Sequence, residues 1–174
     1  DVDAWRVFAG DFLGLMPVDG GNSDAAYFRM DDFPARLVVE PSAEAAATAI
    51  GFEVMDRREL AALAEAVSAH GIEVVAGTPE ECVERQVTGF VRFADPGGNP
   101  IELAYGPILQ HDPVQTPNVS GFVTGGLGLG HVIVSAEDGE AQYDFYTSVL
   151  GFVERNTMAG GRVVFMGCNP RHHT

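Results

Sequence analysis

Three histidines in the last third of the chain carry the residue types and spacing that could do chemistry. His131 stands directly before the apolar run Val132-Ile133-Val134, and the pair His172-His173 follows the segment RVVFMGCNPR. An imidazole titrates near neutrality, so it can give or take a proton or, when neutral, ligate a metal. The apolar run after His131 reads as a strand, as does the segment leading to the histidine pair. A histidine at one strand start and a pair at another strand end can converge in a single pocket. By position alone, a strand-start histidine is more often structural than metal-binding, and a histidine pair is equally at home in an exposed loop. The residues around them must decide.

The whole-chain balance excludes several classes of function. The chain has 174 residues, a formal net charge of -15 and an apolar fraction of 46%. That length suffices for a sizeable core and suggests one or two domains. Nucleic acid demands a basic surface, so this acidity argues against it, and against anionic membranes too. No apolar run approaches the roughly 20 residues of a membrane span, and no signal peptide is visible. Two cysteines, Cys82 and Cys168, make no disulfide framework, which fits a reducing cytoplasm.

The elements that must position the histidines follow from pattern. Residues 1–15 read as a short amphipathic helix with Asp3 as N-cap, Trp5, Phe8 and Phe12 on one stripe, and Gly14 as the stop. Strands are expected over 25–30, 35–40, 48–55 and 72–75, with a helix over 58–70 that ends before Gly71. A helical turn is expected over 79–85. The sequence Asp95-Pro96-Gly97-Gly98-Asn99-Pro100 predicts a hairpin turn between strands over 90–94 and 101–105. From Gly106 to Gly130, prolines and glycines without period predict a linker.

An internal repeat ties the two ends together. Laying Leu13-Gly14 over Leu150-Gly151 superposes two helices, with Phe8 on Phe145 and Phe12 on Val149. The strand at His131 then falls before Asp1, so the first copy lacks its opening strand, and 28–39 matches 165–174. On this reading the second copy stops where the first continues, and roughly as much again as 48–105 is expected to complete it.

These pieces together resemble a known family. Helix-Leu-Gly-Phe units repeated as βαβββ modules, with DPGGNPIEL closing a module, are similar to the vicinal oxygen chelate superfamily. Within it GLGHVIVS, DFYTSVLGF and CNPRHHT resemble type I extradiol ring-cleavage dioxygenases, as do MDDFPARLVVEP and RFADPGGNPIELAYG. The resemblance implies an α+β fold of tandem βαβββ modules. It places an N-terminal, metal-free domain of two modules at 1–110, a linker at 111–127, and the start of a catalytic C-terminal domain at 128–174. It also implies a connection longer than 153–162 between the second helix and the CNPRHH strand.

The resemblance further implies extradiol cleavage of a catechol, bicyclic or steroid-derived, in bacterial aromatic catabolism, by a homo-oligomer using Fe(II) and O2. Manganese suits a similar ligand set. Two histidines and a carboxylate on one face of Fe(II) leave positions for catecholate and O2. The family's first histidine ligand falls on His131; its second histidine and its glutamate fall beyond Thr174. A base must take a catechol proton and an acid must later return one, and the family's residue for both falls on His173. Ile133, Phe165 and His172 are expected to face the substrate, with ordinary packing the competing role for the first two. Arg171 reads as a surface or salt-bridging residue, and Tyr143, Phe145 and Tyr146 as packing residues. By repeat logic Glu102 corresponds to the glutamate ligand, but the position that would supply its histidine partner falls near Gly51, so the first half is expected to hold no metal. Two other readings stay open: a glyoxalase-like metalloenzyme of the same superfamily, and a metal-free module that sequesters an aromatic ligand.

Overall fold

The computed structural model describes residues 1–171. They form two compact units, each assembled from separated stretches: 1–46, 80–88 and 107–129 in the first, and 47–79, 89–106 and 130 onward in the second. Two side-chain networks, described below, bind segments after Gly106 to earlier ones within each unit.

In the first unit, α1 (Val2–Val7) runs into a π-helical turn over Phe8–Phe12. Its N-cap is Asp1, not Asp3: the Asp1 carboxylate accepts from the backbone N–H groups of Asp3 and Ala4. Three antiparallel strands follow, β1 (Met16–Val18), β2 (Ala26–Arg29) and β3 (Leu37–Val39), with β2 in the middle and buried on both faces. β1 was not legible because Pro17 removes a ladder donor, which an edge strand tolerates. Ala9, Leu15, Ala26, Phe28 and Met30 form the core, with Phe122 packed against it. The short helix α3 (Pro79–Arg85) also belongs here apart from its first residue.

The 107–129 segment is not a free linker. The buried Arg29 guanidinium donates to the carbonyls of Gln110 and Asp112 at 2.9 and 3.0 Å and to the Gln110 side chain at 3.2 Å. Arg36 pairs bidentately with Asp31, stacks over Phe33, and reaches the Gly126 carbonyl. Asn118 donates to the Asp11 carbonyl. Proline and glycine content signals irregular backbone; it carries no information about such tethers.

Among the described residues, the second unit holds a complete βαβββ module. Its strands β4 (Ile50–Glu53), β5 (Val75–Ala76), β6 (Val87–Ala94, lying in this unit from Gly89) and β7 (Pro100–Pro107, likewise to Gly106) are ordered β4-β7-β6-β5, with β4 parallel to β7. Helix α2 (Arg57–Ala69) is capped by Asp56, which accepts from the Glu59 N–H, and it ends before Gly71 in a left-handed conformation. Helix α4 (Gly139–Asp144) and its π-helical turn over Phe145–Val149 lay Phe145 and Tyr146 into the core of this sheet, beside Val67, Val91, Phe93, Ile101 and Leu103. Those two aromatics are packing residues, as expected.

The last element is a hairpin of β8 (Val153–Met158) and β9 (Val163–Gly167). The connection carries three successive left-handed residues, Ala159, Gly160 and Gly161. Ala159 is strained there by its Cβ. Ala159→Gly is expected to raise stability by about 0.5–1 kcal/mol, read as a higher urea midpoint with unchanged slope.

Candidate active site

The expected strand at His131 is not formed: residues 131–136 carry no regular structure. Alternation of apolar residues specifies a face, but a strand also needs a neighbour for its N–H and C=O groups. β8 and β9 pair with each other, and no sheet among the described residues extends to this segment. His131 is exposed, and Ile133 is 85% exposed, with no wall packed over it. Phe165 is half-buried on β9. His172 and His173 lie outside the described residues.

One contact nevertheless draws the two histidine-bearing segments together. After β9 the chain turns through Cys168–Arg171, where the Asn169 side chain accepts from the Arg171 N–H at 3.0 Å. The Arg171 guanidinium then donates to the Gly130 carbonyl at 2.6 Å. The residue before His131 is thus fastened to the residue before His172. The sequence suggests a surface or salt-bridging role for Arg171, but its partner lies forty-one residues earlier and is a backbone carbonyl, which no pattern reveals. Arg171→Ala is expected to speed amide exchange over 129–133 and leave the core of the second unit unchanged, measured by hydrogen–deuterium exchange.

A buried polar cluster sits elsewhere in the second unit. Asp95, at the β6–β7 turn, is buried and accepts from the Asn99 N–H and side-chain amide, the Gln142 amide and the Tyr146 hydroxyl. Gln142 in turn accepts from the Gly97 N–H at 2.8 Å. Burial and the Asp95 carboxylate push the Tyr146 hydroxyl well above the usual tyrosine range. In the unfolded chain the phenol ionises near pH 10, whereas in the fold it stays protonated. Its contribution is therefore complete below about pH 10 and declines as pH rises beyond it. Tyr146→Phe should flatten that alkaline loss, followed by urea midpoints from pH 8 to 11. The cluster also explains Gly97: a Cβ there would come within 2.8 Å of the Ser135 carbonyl.

Glu102 and Gly51 face each other as register partners of β7 and β4. Beside the Glu102 carboxylate the neighbouring strand thus offers no side chain at the position where a ligand would be needed. Among the described residues no three His, Cys, Asp or Glu side chains group as a metal site requires. His131 is a single imidazole, so the described residues do not by themselves fit an iron centre.

A module that reads β4-α2-β5-β6-β7, preceded and followed by helix-to-hairpin copies of its plan, is the architecture of the vicinal oxygen chelate superfamily. Likeness to known proteins narrows the class. Residues 1–42 match the family described as dihydroxybiphenyl dioxygenase BphC D1. The whole chain is 40% identical to an iron-dependent extradiol dioxygenase of Rhodococcus jostii, of which it covers 62%, and 36% identical to a biphenyl-2,3-diol 1,2-dioxygenase of Sphingomonas paucimobilis, of which it covers 61%. Among solved structures, that of BphC, a halotolerant catechol dioxygenase, superposes with a TM-score of 0.93 at 35% identity, over 99% of this chain and 59% of that one. A Mn(II)-bound glyoxalase from Novosphingobium aromaticivorans shares the fold at 23% identity, over 99% of this chain and 56% of that one, with a TM-score of 0.79. The chain is similar over its whole length to extradiol dioxygenases of the vicinal oxygen chelate superfamily. It spans about three fifths of the length of these curated relatives. The Rhodococcus alignment runs over 187 positions against 174 residues, so that relative carries residues inside the matched stretch that this chain lacks.

No helix among the described residues is long and apolar enough to cross a membrane.

Proposed function

We propose that the protein carrying this chain opens the ring of a catechol beside its hydroxyl pair, using Fe(II) and O2, with a bicyclic or steroid-derived catechol as substrate. The observation that supports it most is the Arg171 bond to the Gly130 carbonyl, which fastens the two histidine-bearing segments together in a chain alignable throughout with extradiol dioxygenases. In this reading His131 contributes one imidazole to the metal, and the remaining ligands come from outside the described residues. Bound iron would supply the positions at which catecholate and O2 meet. His173 takes the proton from a catechol hydroxyl and later returns one, which an imidazole near neutrality can do in both directions. His172, Ile133 and Phe165 flank the substrate. The first half, with Gly51 opposite Glu102, holds no metal. The protein works in the cytoplasm as a homo-oligomer, without nucleic acid or membrane partners.

The test is anaerobic purification, iron analysis, and exposure to air with 2,3-dihydroxybiphenyl or 1,2-dihydroxynaphthalene, following the yellow ring-opened product. About one Fe per chain and turnover are expected, as one metal centre per protein requires. His131→Ala should lose iron and turnover together. His173→Ala should keep iron while turnover falls by roughly 10²–10⁴. Full activity in either variant overturns its assignment. An aromatic ligand held without iron or O2 uptake would instead identify a sequestering module.

A further inference from the structure

The β6–β7 turn holds two adjacent glycines for two different reasons. Gly98 is there for its left-handed backbone, at φ 81°. Gly97 lies outside that region, yet a Cβ on it would stand 2.8 Å from the Ser135 carbonyl oxygen, a backbone atom with no rotamer to change. Beside it, the Asn99 side-chain amide donates to the same carbonyl at 3.3 Å. The Asp95 carboxylate orients that amide, accepting from it at 3.0 and 2.9 Å, so one N–H faces the carboxylate and the other faces Ser135. Ser135 lies four residues after His131, in a segment that joins no sheet among the described residues. The other end of that segment is fixed by the Arg171 bond to the Gly130 carbonyl.

We infer that Gly97 and Asn99 are positioning residues for His131: the β6–β7 turn seats the Ser135 carbonyl and, with the Arg171 clasp, fixes both ends of the histidine segment. The clasp rests on geometry alone, and its functional consequence rests on the role proposed above for His131. A segment that pairs with no strand is held in place by bonds of this kind to its carbonyls. Between the two anchored carbonyls lie only residues 131–134, and His131 directly follows the first anchor. The Gln142 side chain, which accepts from the Gly97 N–H, ties the same turn to α4, so turn, helix and segment are seated together. A group displaced by about 1 Å from its working position can cost on the order of 10²-fold in rate, so this seating bears directly on His131. The turn belongs to the half read as metal-free and serves the half that carries the histidine.

Three variants of the full-length protein test it. Gly97→Ala puts a methyl against the Ser135 carbonyl, and Asn99→Ala removes that carbonyl's donor. Tyr146→Phe is the matched control, because it takes a donor from the same Asp95 carboxylate without touching Ser135. Native-state thermolysin digestion, mapped by mass spectrometry, reads cuts before Val132, Ile133 and Val134. Gly97→Ala and Asn99→Ala should raise that rate about fivefold, and Tyr146→Phe by less than about twofold. From anaerobically iron-loaded protein, a ferrous chelator should strip iron about tenfold faster in the first two variants and at the parent's rate in Tyr146→Phe. Rates alike in all three variants would overturn the inference, since the loss would then be one of general stability. If His131→Ala retains iron like the parent while the cleavage ratios hold, the role proposed for His131 falls and the clasp stands.

Discussion

Asp95→Ala is expected to cost about 3–5 kcal/mol, the range for breaking a buried charged network by removing one member. The carboxylate takes four donor groups from three residues, and two of these, Gln142 and Tyr146, lie on α4 and its π-helical turn. Alanine leaves the Asn99 N–H, two side-chain amides and a phenol facing one another without an acceptor. Each orphaned donor carries its own desolvation penalty of about 1–3 kcal/mol, partly relieved by water entering the gap. The loss should appear as a Tm lower by roughly 10 °C in a domain of this size. Asp95→Asn separates charge from shape. It fits the space, but its amide sets a donor against the donors of Gln142 or Tyr146, so an intermediate loss is expected. A variant with Asp95→Ala melting like the parent would mean that the turn and α4 are held by the apolar contacts of Phe145 alone.

Arg29→Ala should destabilise the first unit by about 3–4 kcal/mol and open the 107–124 segment to proteases. Arg29 is 2% exposed, and its guanidinium is solvated by carbonyls of Asp31, Gln110 and Asp112. Truncation leaves those carbonyls without their guanidinium donor and opens a cavity the width of the side chain. Arg29→Lys restores the charge but not the planar fork, since an ammonium is a compact point donor that cannot span three acceptors. Lysine should therefore recover only part of the loss. Limited proteolysis followed by mass mapping distinguishes the two effects: early cuts between 107 and 124 locate the damage at the tether, whereas cuts throughout 1–46 would refute it.

The parts of the fold legible in the sequence were those fixed locally. The paired helices announced themselves through aromatic spacing and the terminal Leu-Gly, which act within a few residues, although the first cap is Asp1 and not the expected Asp3. The DPGGNP turn was equally plain, because Asp and Asn satisfy their own backbone and Gly98 accepts a left-handed conformation at φ 81°. Its second function was not legible: the partner of Asp95 lies forty-seven residues on, and nothing in a turn motif says that its carboxylate will be buried. The same holds for Arg29, which fixes a segment that composition describes only as irregular. The run after His131 erred in the other direction, since an apolar alternation without a pairing edge stays unpaired. At the candidate site, the identity of the histidines came from motif likeness, while the Arg171 clasp needed coordinates.

The interleaving of the two units bears on how this polypeptide becomes a protein. The first unit cannot close its core until residues 107–129 exist, because Phe122 and the Arg29 acceptors belong to it. During synthesis, the first 46 residues must wait for about eighty more, roughly 4–17 s at 5–20 residues per second. Throughout that interval Phe28, Leu15 and the stacked aromatics of α1 stand uncovered on a nascent chain. Neither unit exists as a continuous stretch that could be excised and folded alone, so a ribosome stalled near residue 106 would present two half-built cores at once. Such a chain is a natural client for chaperones that hold apolar segments until the later residues arrive.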